Sequence, residues 1–120
     1  MSNLEQILER LLTCADGAVA VAVGGMDGLL VEQRPERQPD LTVCVAELTN
    51  ALVGVRRAVG EALAGGAVAE LSIRSEHVVA LVRHVTPEHY LLLALEPSAD
   101  TGAAARALDD GAQRVRELFR

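Results

Sequence analysis

Apolar and polar positions along the chain follow two periods that alternate. Leu4, Ile7, Leu8, Leu11 and Leu12 fall at helical spacing and predict a first helix from about Ser2 to Cys14 with one apolar face. Ser2 and Glu5 have the spacing of a capping box, and Ala15-Asp16-Gly17 closes the helix. Ala18 to Val23 has no polar face, as expected for an inner strand covered on both sides. Gly24-Gly25-Met26-Asp27-Gly28 is a turn, and its Asp-Gly pair is a short-range hairpin signal. The second strand, Leu29 to Arg34, turns polar quickly, which suits an edge. Pro35 to Pro39 reads as a polar connector.

Asp40 is placed to cap a long helix from about Leu41 to Ala64. Its core stripe is Leu41, Cys44, Val45, Leu48, Leu52, Val55, Val59 and Leu63, and Gly65-Gly66 stops it. Three strand-like runs follow. Val68 to Arg74 alternates Ala69, Leu71 and Ile73 against Glu70, Ser72 and Arg74. His77 to Val85 forms the fourth strand, and Tyr90 to Leu95 the fifth, which is apolar on both faces. A last helix spans about Asp100 to Arg120, with Ala104, Ala107, Leu108, Ala112, Val115, Leu118 and Phe119 as its stripe. The order is helix, two strands, helix, three strands, helix. No repeat or long linker divides it, so residues 1–120 are expected to form one domain.

The first and fifth strands lack a polar face, so both belong inside a sheet. The hairpin pairs strands 1 and 2, and strands 3 to 5 form a meander. Joining strand 1 to strand 5 gives a five-stranded antiparallel sheet of order 2-1-5-4-3 with strands 2 and 3 at the margins. The patterning leaves other joins open. The long helix is expected on one face and the two outer helices on the other, an α/β (α+β) layered fold.

Half of the residues are hydrophobic, enough for a packed core and against disorder. Only Tyr90 and Phe119 are aromatic, so Val, Leu, Ile and Ala must supply the packing. The net charge is −6, and every basic residue is arginine. An acidic chain repels a phosphate backbone, and two aromatic residues make no platform for bases. Nucleic acid is therefore not an expected partner. No apolar run approaches about 18 residues, and the start of the chain has no signal-peptide character. A cytoplasmic protein without membrane insertion is expected.

Candidate chemistry is sparse. Cys14 and Cys44 fall on opposite sides of the expected sheet and read as small apolar fillers rather than a disulfide. His77, His84 and His89 lack ligand spacing, so no metal is expected. The Gly24–Gly28 turn lacks Gly-Lys-Ser/Thr and leads into a strand, which excludes a phosphate loop. Glu32, Asp109 and Asp110 have no evident carboxylate partner for acid/base work. Glu76-His77 and Glu88-His89 sit at turns without a nucleophile. No catalytic residue and no cofactor are expected. Arg56-Arg57 could meet an acidic partner or lie solvated, and Arg114, Arg116 and Arg120 suit the negative end of the last helix.

The element order, with Val23-Gly24-Gly25-Met26-Asp27-Gly28-Leu29-Leu30 as strand-turn-strand, resembles the Roadblock (dynein light chain) family, which includes the bacterial MglB-like regulators. The resemblance covers nearly the whole chain. It implies a profilin-like layered fold and a dimer in which two sheets join edge to edge through the third strand, with the two long helices side by side. It also implies a non-catalytic scaffold or regulator of a small Ras-like (MglA-like) GTPase in a bacterial signalling or polarity system. Regulators of this kind are thought to reshape their partner rather than insert an arginine.

The residues themselves bear on an interface. The outer face of the long helix carries Val43, Ala46, Asn50, Val53, Gly54, Arg57 and Glu61, with small and apolar residues where a solvent face is mostly charged. An Ala/Val/Gly-rich surface helix would read the same way. The third strand has no proline, lysine or evident bulge to protect an open margin. Pairing with its own copy through Val68, Glu70 and Ser72 would close it, although the charges of Glu70 and Arg74 could also suffice. A homodimer that binds a small GTPase is the leading expectation. A profilin-like ligand sensor, which needs a sizeable pocket, and a purely structural adaptor are the alternatives.

Overall fold

The computed structural model describes residues 3–120. The elements are α1 (Asn3–Cys14), β1 (Ala18–Gly25), β2 (Leu30–Arg34), α2 (Thr42–Val55), a π-helical segment (Arg56–Ala62), β3 (Glu70–Arg74), β4 (Val79–Thr86), β5 (His89–Leu95) and α3 (Thr101–Leu118). The Ser2 half of the expected capping box lies outside the described residues. All strand pairs are antiparallel, and the sheet order is β2-β1-β5-β4-β3.

The period of two in β1 and β5 builds two cores on one sheet. Val21, Val23, Leu91, Leu93 and Leu95 point to the α1/α3 side, where they pack with Leu8, Leu11, Leu108, Ala112 and Val115. Ala20, Ala22, Tyr90 and Leu92 point to the other side and meet Leu41, Val45 and Leu52 of the α2 region. Each fully buried Leu or Val adds roughly 1.5–3 kcal/mol of transfer free energy. That explains why the two strands without a polar face occupy the interior.

Several boundaries differ from the sequence expectation. β2 starts at Leu30, after a register shift at Val23/Gly24 that leaves Leu29 exposed. β3 begins at Glu70 rather than Val68, and β4 at Val79 rather than His77. Asp40 stands one residue ahead of the helix cap, which is Leu41. Its carboxylate nevertheless accepts from the Thr42 N–H at 3.0 Å and hydroxyl at 2.7 Å, which lowers its pKa. Asp100 does cap α3, accepting from the Ala103 N–H at 3.1 Å.

The larger correction concerns the long helix. After Val55 the backbone widens, and Leu63 N–H donates to the Ala58 carbonyl five residues back. None of the π segment is buried. The expected stripe therefore breaks: Val59 is 41% and Leu63 75% exposed. α2 lies against β1 and β2, and the π segment approaches no strand closely. β2 is corrected in another respect. Its polar end is buried, because Gln33 and Arg34 fasten the connector and α1 rather than face water.

Candidate partner interface

β3 is an open margin. The His84 N–H donates to the Ala69 carbonyl at 3.0 Å, and the Ser75 N–H to the Val78 carbonyl at 2.9 Å. With the β3–β4 register, residues 69, 71, 73 and 75 therefore turn their backbone groups toward β4. Glu70, Ser72 and Arg74 turn theirs outward. The side chains split by face as well. Leu71 pairs with Val82 and Ile73 with Ala80 on the α2 side, where Leu71 is half-buried and Ile73 is 39% exposed. Glu70, Ser72 and Arg74 are exposed on the α3 side.

The charges on that side form a ladder. Asp109 of α3 meets Arg83 of β4 at 2.8 Å, and Arg83 meets Glu70 of β3 at 3.3 Å. Arg74 donates to the Pro97 carbonyl at 3.2 Å and has no acidic partner among the described residues. Asp109 and Asp110 remain exposed, and each holds an arginine, since Asp110 accepts from Arg114 at 3.0 Å.

The expected outer face of α2 is only partly outward. Val43 is 72% exposed, and Asn50, Gly54, Arg57 and Glu61 are exposed. Ala46 and Val53 are half-buried. The widened backbone adds Val59 and Leu63 to the outward apolar surface. Arg56 and Arg57 diverge: Arg56 donates to the Pro87 carbonyl at 3.1 Å, whereas Arg57 is exposed. Glu61 and half-buried Val68 share an open cleft of about 570 Å³ between the π segment and the end of β4, with Arg56, His84 and Arg116. Val43 and Asn50 do not line this cleft.

Some polar side chains with structural roles escaped the sequence reading. Gln33 donates to the Pro35 and Pro39 carbonyls, both at 2.7 Å, and accepts from the Leu41 N–H at 2.9 Å. Arg34 is buried among Glu32 at 2.8 Å, Glu9 at 3.1 Å, and Glu5 and Glu36, both at 3.8 Å. Burial lowers its pKa, but the hydrogen bond and charge of Glu32, with Glu36 and Glu5, raise it overall. Arg116, expected to serve the end of the last helix, reaches the sheet instead. It donates to the Val85 carbonyl at 2.8 Å and the His84 carbonyl at 3.4 Å, tying α3 to β4. Arg116 and the α1 carboxylates around Arg34 meet across distant sequence, whereas Gln33 is tied within eight residues through a connector whose path no periodicity marks.

Both ring nitrogens of His84 are buried without a hydrogen-bond partner. Burial, and then the Arg56 cation, push its pKa below the ordinary 6.5, with the His89 backbone opposing in smaller part. The other histidines are peripheral. His77 lies exposed beside Glu76 at 3.4 Å, and His89 contacts the Thr86 hydroxyl at 3.1 Å and stacks edge-on against Phe119. Both cysteines are free. Cys44 is half-buried, which raises its thiol pKa, but Cys14 is exposed and is not the apolar filler expected.

Among the described residues, no group of three or more His, Cys, Asp or Glu is placed to hold a metal ion. No helix there is long and apolar enough to cross a membrane. The arrangement is suited to docking polypeptide: a strand with one free edge, an apolar margin beside it and an outward apolar helix face.

No protein-family model and no curated protein sequence matches the chain significantly. Solved structures do match. A Roadblock/LC7 domain from Streptomyces avermitilis superposes with a TM-score of 0.90 at 15% identity, covering 98% of each chain. MglC from Myxococcus xanthus is 31% identical over 98% of this chain and 99% of its own, with a TM-score of 0.67. The gliding protein MglB from Thermus thermophilus matches with a TM-score of 0.83 at 14% identity, over 96% of this chain and 87% of its own.

Proposed function

Because this chain belongs to the Roadblock/LC7, MglB-like family, we propose that it is a non-catalytic, homodimeric scaffold or regulator that engages a small Ras-like GTPase. It acts as one Roadblock-type module in the cytoplasm, in a bacterial signalling or polarity system. The observation that carries this reading is the β3 margin. Glu70, Ser72 and Arg74 offer unpaired backbone groups there, next to half-covered Leu71 and Ile73. An exposed edge of this kind invites another strand, and pairing with its own copy closes it by a two-fold axis. The outward face of α2 and the π segment, from Val43 through Gly54 and Arg57 to Leu63, then supplies contact surface for the dimer or the GTPase. A gliding protein, MglB, among the structural matches supports the choice of system.

The ligand-sensor alternative draws little support. The strands that would line an interior pocket are packed on both faces, and the clefts of about 510 to 620 Å³ open onto the surface between helices and turns.

The test is to mix the purified protein with a purified MglA-like small GTPase, loaded with GDP or a GTP analogue. Co-elution and the rate of GTP hydrolysis are then measured. A complex in at least one nucleotide state is expected. A change in hydrolysis rate marks a regulator, and a complex without such a change marks a scaffold. Absence of a complex in every nucleotide state defeats the GTPase reading.

A further inference from the structure

Two guanidinium groups reach one cleft from opposite layers of the fold. Arg56 opens the π segment on the α2 side and donates to the Pro87 carbonyl at 3.1 Å. Arg116 comes from α3 on the other side and donates to the Val85 carbonyl at 2.8 Å and the His84 carbonyl at 3.4 Å. Both therefore rest on the stretch 84–87, where β4 runs into its turn. We propose that this cleft binds a small organic acid, whose carboxylate or phosphate lies between Arg56 and Arg116 and whose apolar body lies against Val68 and Pro87. The site goes beyond the partner-binding reading above and does not rest on it. It opens at the surface, at the end of the sheet, and leaves the packed interior as it is.

The cleft measures about 570 Å³, within the range of roughly 300–1,000 Å³ typical of small-molecule sites. Its wall sets a few polar groups from separate elements among apolar ones, as such sites do. Neither guanidinium has a carboxylate within ion-pair reach among the described residues. Their anchors are carbonyls, together with the Gln113 side chain for Arg116 at 2.6 Å. Such anchors fix the planar groups but leave their charge uncompensated, with further N–H donors for an oxyanion. His84 lines the same cleft, yet both its ring nitrogens are buried without a partner. Buried polar atoms are nearly always paired. A ligand seated between the arginines completes the bonding of the imidazole once the ring turns toward it.

The widened helix shapes the site. A Cβ at Gly60 would lie 2.8 Å from the Gly66 carbonyl, and Gly66 has a φ of 78°. These two glycines let the connector fold back on the π segment, and both line the cleft. Short π-helical turns are rare and recur at functional sites. Other clefts lack the combination. In the groove between α1 and α3, Arg114 is already paired to Asp110 at 3.0 Å, and Glu117 stands in the wall. The cleft beside the hairpin is lined by Asp27 and Glu88, which repel an anion. An acidic protein segment would also be drawn to two arginines, but a concave cleft with an unpaired imidazole in its wall favours a molecule small enough to enter.

The experiment is an NMR titration of the full chain at low ionic strength with benzoate, phenyl phosphate, inorganic phosphate, neutral benzamide and a glutamate-rich peptide. The Arg56 and Arg116 Nε–H signals and the His84 ring are followed. Benzoate and phenyl phosphate are expected to shift all three, and the tighter of the two names the oxyanion. Benzamide binds at least roughly tenfold more weakly, and Arg56→Gln weakens the tighter probe by roughly tenfold or more. Glu61→Gln tightens it, because Glu61 is the acid in the lining. None of the π segment is buried, so both variants keep the fold, whereas Arg116 also ties α3 to β4. The charged and titratable groups around the His84 ring are Arg56, Glu61 and Arg116 in the cleft and Tyr90 edge-on from β5. Burial, then the Arg56 cation, hold the His84 pKa below 6.5. A bound anion offsets that cation, so the His84 pKa rises on binding, and affinity increases as pH falls through it.

Unmoved signals at all three side chains with every small probe at millimolar concentration overturn the site. Equal binding of benzamide and benzoate overturns the role of the arginines. A response to inorganic phosphate alone means general ion attraction and overturns the organic ligand. A response to the glutamate-rich peptide alone gives the arginines to a protein partner and overturns the proposal, while leaving the GTPase reading standing.

Discussion

At Gly24 a side chain has nowhere to go: a Cβ there would lie 2.7 Å from the Tyr90 ring and 2.8 Å from Val45. That close approach lets the Tyr90 hydroxyl donate to the Val45 carbonyl at 2.9 Å and lie 3.0 Å from the Thr49 hydroxyl, which donates to the Gly25 carbonyl at 3.1 Å. One glycine thus fixes how α2 is bolted to the sheet. Gly24→Ala is expected to cost about 1–3 kcal/mol, as overpacking does. Tyr90→Phe should cost about 1–3 kcal/mol by leaving the buried groups unpaired. Urea denaturation measures both, and a neutral Gly24→Ala would contradict the packing. His84 acts through protonation instead. Its folded pKa lies below the ordinary 6.5 because burial, then Arg56, disfavour the cation. The unfolded chain therefore binds the proton more readily once pH falls below about 6.5, and stability declines on acidification from there toward the folded pKa. His84→Gln should flatten the slope of unfolding free energy as pH falls below about 6.5. An unchanged slope would remove His84 as its source. In sequence, Gly24 was read as part of the turn, whereas it lies in β1 and pairs with Leu30 and Tyr90; its steric role was hidden, because Tyr90 and Val45 come from elements far along the chain.

Strands and helices were largely legible because each carries its own period. The alternation of β3 and the doubly apolar runs of β1 and β5 were enough to place those strands at the margin and in the middle. The α2 region shows where such reading stops. Val55, Val59 and Leu63 continue an i, i+4 spacing, but spacing does not reveal a change in backbone hydrogen-bond register. Once Leu63 bonds back to Ala58, the later members of the stripe rotate off the sheet. The polar end of β2 was misread for a related reason. Polarity marks either water or a clamp, and Gln33 and Arg34 are a clamp. Truncation at two positions of the same expected stripe separates the accounts. Leu52→Ala, fully buried, should lose about 2–5 kcal/mol, whereas Leu63→Ala should change stability by no more than about 0.5 kcal/mol. Equal losses would mean that the π segment packs as an ordinary helix end.

The two faces of the sheet are covered unequally. α1 and α3 together close one side, but α2 alone lies on the other, against β1 and β2. Leu71, Ala80 and Ala94 on the β3–β4 half are only partly buried, and Ile73 is more exposed still. A single chain therefore leaves an apolar margin beside the free edge of β3, and the proposed second copy hides both at once. Anything that binds the folded chain but not the unfolded one stabilises it by mass action. Folding coupled to dimerisation makes the melting temperature rise with protein concentration, by roughly 2–4 °C per tenfold for a chain of this size. Ile73→Lys puts a charge on that margin. Because Ile73 is already exposed, the substitution should change the stability of the lone chain by no more than about 0.5 kcal/mol. In the dimer it buries an ammonium at an apolar joint that lacks any group to pair with it. Calorimetry at two concentrations a hundredfold apart distinguishes the cases. Wild type should melt higher in the concentrated sample, while Ile73→Lys melts at one temperature in both, close to that of dilute wild type. A wild-type melting temperature independent of concentration would mean that the single chain is sufficient to itself, with its β3 margin left to water.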